Sequence, residues 1–277
     1  MNKVFFFTDI HGMGNLYDAI MKHCIEQDPE CIIVFGGDAC DRGKDGYRIM
    51  KDLLNHPNVV YLKGNHEDIF VKAARQIKQK MPNLKTKEEI GIALTRCKRA
   101  IDDYGAIALS LYNGGKSTLT DWILDGMPMD IVEKLDNLQL TFVYDNYDFS
   151  HSAGKYKNFQ KVHQLELRGQ PIADEDAEYL LWTRSDLDAP WAQNRVAVFG
   201  HTPVMEVYRN IFDEIWPANE AYVPIMYASE DQTAGWKICM DTYACVANRA
   251  FVFDVLEERS QGFEQKNDGT IEKIEVI

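Results

Sequence analysis

The chain has 277 residues and a mass of 31.8 kDa, with 45% hydrophobic and 26% charged residues. This is globular composition, and it excludes a disordered, collagen-like or low-complexity chain. With 30 basic and 43 acidic residues the net charge is −13, which disfavours non-specific binding to nucleic acid and to anionic membranes.

The first seventy residues repeat one unit. Val4 to Thr8 is a short apolar run that ends at Asp9. Residues 14–26 have helical spacing through Leu16, Ala19, Ile20 and Ile25. Cys31 to Phe35 is a second run and ends at Gly36-Gly37-Asp38; residues 45–55 are again helical. Asn58 to Leu62 is a third run and ends at Gly64-Asn65-His66, with a helix expected over 68–80. Continuous apolar runs separated by helices predict parallel, doubly buried strands with right-handed crossovers. Ligands of such sheets sit at the carboxyl ends of the strands. Asp9, His11, Asp38, Asp41, Asn65 and His66 are therefore expected to converge on one edge.

Further along, helices are expected near 86–103 and 128–136, inside a helical insertion over about 81–137. Strands are expected over Leu138–Tyr144 and Asp148–His151, a helix near 173–183, and a strand over Arg195–Phe199. Residues 209–236 read as a long irregular loop rich in aromatics, among them Phe212, Trp216, Tyr222, Tyr227 and Trp236; such a loop is either a lid or a packed insertion. Strands near 237–241 and 250–256 follow, and the turn Asn267-Asp268-Gly269 predicts a terminal hairpin. No linker or repeat is visible, so one domain over 1–277 is expected. The apolar run at the N-terminus is four residues long, short of a signal-peptide core, and no segment reaches membrane-spanning length. The six cysteines form no Cys-x-x-Cys pair. They read as reduced thiols, and a cytoplasmic location is expected.

Five segments carry chemistry: Asp9-Ile10-His11-Gly12, Gly37 to Gly43, Gly64-Asn65-His66-Glu67, His151, and Gly200-His201-Thr202-Pro203. Carboxylate, imidazole and amide ligands suit Mn, Fe, Zn or Mg. Each segment alone has an ordinary explanation: a solvated turn, an Asn N-cap, or a structural histidine. All five, in this order and each at a strand end, do not. Tyr112-Asn113-Gly114-Gly115 with Thr118-Leu119, and Leu181-Trp182-Thr183-Arg184, add to the pattern.

With these motifs the chain resembles the calcineurin-like metallophosphoesterases, and within them the bacterial serine/threonine phosphoprotein phosphatases. The resemblance implies an α/β fold: a β-sandwich of two mixed sheets flanked by helices. It implies two divalent cations, Mn first and Fe, Zn, Mg or Ni as alternatives. Asp9 and His11 would hold the first, Asp38 would bridge both, and Asn65, His151 and His201 would hold the second. A metal-bridging hydroxide would attack phosphorus. Arg42 would fork onto the phosphate, with Asn65 and Arg184 as further phosphate contacts. His66 would protonate the leaving group, oriented by Asp41. The implied substrate is phosphoserine or phosphothreonine on a protein, or another small phosphoester. A symmetrical dinucleoside tetraphosphate hydrolase and a non-catalytic phosphate- or partner-binding module stay open as alternatives. No nucleic acid or membrane partner is expected. Two features depart from the family pattern. His151 is followed by Ser152-Ala153-Gly154, and Tyr243 stands where the bacterial relatives usually have Gly. Ser110 to Ser117 looks like a P-loop, but it lacks the first glycine and an evident Walker B partner, so nucleotide hydrolysis is not expected there.

Overall fold

The computed structural model describes residues 2–212, 222–228 and 234–275. The expected strand and helix alternation opens the fold: β1 (Val4–Phe7), α1 (Gly14–Gln27), β2 (Ile32–Phe35), α2 (Gly46–Asn55), β3 (Val59–Tyr61) and α3 (Asn65–Lys80). The insertion follows as α4 (Lys87–Arg99), α5 (Ile101–Tyr112), α6 (Lys116–Leu124) and α7 (Met129–Asp136). Then come β4 (Thr141–Tyr144), β5 (Tyr147–Ser150), α8 (Tyr156–Leu167), α9 (Asp174–Trp182), β6 (Val196–Phe199) and α10 (Val204–Phe212). The chain closes with β7 (Ile225–Ala228), β8 (Trp236–Cys239), α11 (Ala244–Ala247), β9 (Arg249–Asp254), β10 (Arg259–Gln265) and β11 (Ile271–Glu275).

The strands form two mixed sheets, ordered β11-β10-β9-β1-β2-β3 and β4-β5-β6-β8-β7. β1, β2 and β3 run parallel, as their apolar runs and intervening helices predict. β10 and β11 pair antiparallel across the expected turn.

The side-chain period of two in a strand explains the layering. Phe5, Phe7, Ile33 and Phe35 face α1, α2 and the insertion in one buried cluster. Val4, Phe6 and Val34 point the other way, onto Phe149, Val198 and Ile238 of the second sheet. Phe199, Cys239 and Tyr227 leave that sheet on its far side and pack with Phe159 of α8 and Trp191. The result is helix, sheet, sheet, helix.

Three expectations change. The helix expected over 86–103 is two, divided at Ala100, whose φ of −111° and ψ of 64° leave the helical region. α8 has no counterpart among the elements expected from the sequence. The stretch 209–236 is not irregular throughout: it begins as the end of α10 and contains β7. Tyr222 and Tyr227 pack on the outer face of the second sheet, whereas Phe212 and Trp236 are exposed. Trp216 lies outside the described residues. No helix among the described residues is long and apolar enough to cross a membrane.

Candidate active site

Five strands of the sandwich aim their carboxyl ends at one place. Asp9 and His11 follow β1, Asp38 and Asp41 follow β2, and Asn65 and His66 open α3 after β3. His151 follows β5 and His201 follows β6. The chain turns so sharply there that six positions take left-handed backbone: φ is 53° at Asp9, 43° at His11, 61° at Asp38, 68° at Asp41, 62° at Arg42 and 63° at His201. Such conformations cost about 1–3 kcal/mol each and persist where the surroundings enforce them. Backbone hydrogen bonds do so here: His11 N–H donates to Asp38 O at 3.0 Å and Gly43 N–H to His11 O at 2.9 Å. Two glycines make room. A Cβ on Gly64 would lie 2.3 Å from Asp38 Oδ1, and one on Gly200 would lie 2.0 Å from Asp9 Oδ2.

Asp38 joins two buried clusters, His11–Asp38–His66 and Asp38–His151–His201, each compact enough to hold an ion. Its Oδ2 lies 3.5 Å from His11 Nε2 and 3.8 Å from His66 Nε2, and its Oδ1 lies 3.5 Å from His151 Nε2. Asn65 Oδ1 faces His151 Nε2 at 3.0 Å and His201 Nδ1 at 3.1 Å. His11 Nδ1 donates to Cys40 O at 3.0 Å, and His151 Nδ1 to Gly36 O at 2.8 Å. Those bonds place a ring proton on each Nδ1 and turn each Nε2 towards Asp38, the orientation a metal-ligating imidazole needs. Asp9 Oδ2 accepts from Thr8 Oγ1 at 2.6 Å and from His201 N–H at 3.0 Å. The donor set therefore fits hard or borderline divalent cations.

The electrostatics point the same way. Burial and the Asp38 charge push Asp9 up to about 8. Burial would also raise Asp38, but His66, His151 and His11 outweigh it and hold it below the usual carboxylate range. Burial drives His11 well down and lowers His201 to about 3, so both rings are neutral near pH 7. Asp241, buried beside Asp9, is raised strongly by burial and by that neighbour. Carboxylates crowded together with neutral imidazoles form a site that divalent charge would relieve.

His66, a member of the first cluster, also forms a proton-transfer pair. His66 Nδ1–H donates to Asp41 Oδ2 at 2.8 Å, leaving Nε2 directed towards Arg42 Nη2 at 3.3 Å. Among the described residues Arg42 meets no carboxylate at ion-pair distance. It lies against Cys245 Sγ at 3.8 Å and the Tyr243 ring at 6.0 Å. Its fork is thus available to an anion. Arg184 reaches the site differently. Nη2 donates to His201 O at 3.3 Å, while Nη1 pairs with Glu206 at 2.9 Å. Tyr243 occupies the left-handed region at φ 58°, a conformation that favours glycine, and its N–H donates to Asp241 Oδ1 at 2.9 Å.

Sequence reasoning missed the supports. Glu67 is fully buried and accepts from Asp38 N–H, Ala39 N–H, Gly64 N–H and Tyr61 Oη at 2.8 to 2.9 Å. It ties the second and third loops together. The only sequence signal was a glutamate at the third position of α3, where a capping side chain reaches back. Asn65 itself is not the cap: the helix begins at Asn65, with Gly64 before it. The segment that looks like a P-loop lies between two helices, α5 and α6, and no strand precedes it. Its work is to hold the second loop from outside. Gly114 O accepts from Arg42 N–H at 3.1 Å, Thr118 Oγ1 from Asp41 N–H at 3.1 Å, and Ser117 Oγ donates to Gly43 O at 2.7 Å.

A model of the calcineurin-like phosphoesterases matches residues 2–214. The chain belongs to that family. Such phosphoesterases are dimetal-dependent hydrolases, and the two clusters sharing Asp38 are where this one could hold its ions. No curated protein matches the chain. Among solved structures, a candidate diadenosine tetraphosphatase is 14% identical with a TM-score of 0.50, over 100% of this chain and 94% of the other. A point mutant of a cold-active protein tyrosine phosphatase is 15% identical with a TM-score of 0.51, over 99% and 81%. At such identity these likenesses establish the fold of the phosphoesterase and leave its substrate open.

Proposed function

We propose that this phosphoesterase hydrolyses phosphate monoesters, with phosphoserine and phosphothreonine of proteins as its substrates. One observation carries the reading: a single buried carboxylate, Asp38, shared by two metal-sized clusters, with His66 of the first cluster bonded to Asp41 and to Arg42, which meets no carboxylate among the described residues. Asp9, His11, Asp38, Asn65, His151 and His201 would hold the ions, with Mn²⁺ the first candidate. Bound there, divalent cations supply charge neutralisation at phosphoryl oxygens and lower the pKa of water.

The chain's own groups do the rest. Arg42 presents two N–H donors to the non-bridging oxygens and sets the ester in place. Asn65 Oδ1 faces His151 and His201, where it would help hold an ion, and its Nδ2–H donors are left for the phosphate. Imidazolium at His66 gives a proton to the departing alkoxide, and Asp41 keeps Nδ1 protonated and the ring aimed. Arg184, already paired with Glu206, contributes at the mouth and less directly than Arg42.

The test compares kcat/KM of the Mn²⁺-loaded chain on a phosphothreonine peptide, a phosphotyrosine peptide and diadenosine tetraphosphate, with Asp38→Asn as blank. The phosphothreonine peptide is expected to lead by at least about tenfold, a transition-state difference near 1.4 kcal/mol. A lead for the dinucleotide would make the chain a nucleotidase. A lead for phosphotyrosine would reassign the protein substrate.

A further inference from the structure

The protein's charge is unevenly spread. Residues 78–116 carry eight lysines and arginines against four acidic residues, a net of +4 in a chain of net −13, which leaves −17 for the remainder. Within this segment lies a shallow cavity of about 720 Å³ walled by α4 and the start of α6. Lys87, Arg96, Arg99 and Lys116 line it, and Glu88 is the one acid on its wall. None of the four cations forms an ion pair with a described residue, although thirteen other lysines and arginines do. Ile92, 58% exposed, stands among them as an apolar anchor.

The cavity adjoins the candidate active site through the chain itself. Lys116 sits between Gly114, whose carbonyl holds Arg42 N–H at 3.1 Å, and Ser117, whose hydroxyl holds Gly43 O at 2.7 Å. An extended peptide advances about 3.3–3.6 Å per residue. A chain with its phosphorylated residue at Arg42 can therefore lay neighbouring residues along this wall.

We propose that the cavity is a docking surface for an acidic protein segment, one apolar residue flanked by carboxylates, and that it selects acidic phosphoprotein substrates. This rests on the phosphomonoesterase reading above and names the substrate class for it. Charge complementarity picks the occupant: the strongly anionic remainder repels an acidic chain, so the basic wall is where it is steered and retained. The lining favours a peptide over a nucleotide. Gly91, Ile92 and Ala100 offer an apolar side chain a seat, and among the described residues no aromatic ring lines the cavity to stack on a base. One exposed ion pair adds little; four cations around one cavity act together.

The experiment uses the full chain loaded with Mn²⁺ and the exposed double variant Arg96→Glu/Arg99→Glu. Two phosphothreonine peptides of equal length are compared, one with Asp and Glu flanking a Leu, the other with Asn and Gln in their place. Wild type should favour the acidic peptide by about tenfold or more at low salt through KM, and should lose that advantage as ionic strength rises. The variant should lose it too, with kcat and p-nitrophenyl phosphate turnover unchanged. Anisotropy with the unphosphorylated acidic peptide reads the same binding without turnover. Equal kcat/KM for the two peptides, or an advantage that survives the double variant, overturns the proposal. So does an effect of the variant on diadenosine tetraphosphate and not on peptides. If wild type hydrolyses no phosphomonoester, the functional reading fails, and anisotropy alone then decides the surface: no binding, or binding unchanged in the variant, overturns it.

Discussion

Asp38→Asn is expected to lower kcat/KM for any phosphoester by at least about 10³-fold, or some 4 kcal/mol of transition-state stabilisation. The size follows from position. Among the described residues Asp38 is the only carboxylate common to both clusters, with Oδ2 3.5 Å from His11 and Oδ1 3.5 Å from His151. Asparagine keeps one carbonyl oxygen, enough for the bond that Asp38 Oδ1 accepts from His66 N–H at 3.0 Å. It removes the negative charge and one of the two oxygens that would face the cations. The fold should therefore survive while turnover falls. Circular dichroism and phosphate release on one preparation check this, and activity within tenfold of wild type would contradict it.

His66→Asn separates proton transfer from the rest of the chemistry. On an alkyl phosphate, such as a phosphothreonine peptide, kcat should fall by about 10²–10⁴-fold, the usual contribution of a positioned acid. On p-nitrophenyl phosphate, whose leaving group departs without a proton, the loss should stay below about tenfold. The pH profile carries a second signature. Burial works to lower the His66 pKa, but the Asp38 charge and the Asp41 hydrogen bond prevail and raise it to about 9. The protonated ring is the working acid, so wild-type kcat declines as pH rises through that value. Cations at Asp38 cancel part of the charge that raises it, so the limb of the loaded enzyme lies at or below about 9. His66→Asn should erase this limb. Equal losses on both substrates with the limb retained would remove His66 from the acid role.

What the sequence made legible, and what it hid, follows from how far apart partners lie. Asp9 and His11, or Asn65 and His66, carry their chemistry within two residues, at the end of an apolar run that announces a strand. Local pattern suffices there. Glu67 could not be read this way, because its donors at Asp38 and Ala39 come from a loop 28 to 29 residues earlier. The supporting role of the Gly114–Thr118 segment was hidden for the same reason: its partners, Asp41 to Gly43, lie more than 70 residues away. Arg184 was expected only as a phosphate contact; its ion-pair partner Glu206 lies 22 residues further on. The basic wall near α4 was masked by an overall charge of −13. The boundary at Ala100 has no glycine or proline beside it to mark it, and α8 buries only Phe159 and Val162, too short an apolar stripe to announce a helix.

The shared-carboxylate centre is tested most directly by the number of ions it holds. Calorimetric titration of the metal-stripped chain with Mn²⁺, with phosphate release followed in the same samples, should give two ions per chain. Activity should appear only when both are bound, and Asp38→Asn should reduce the count or weaken both sites. A chain that binds one ion or none while hydrolysing phosphate esters, or that keeps two tight ions after Asp38→Asn, would contradict the shared-carboxylate centre.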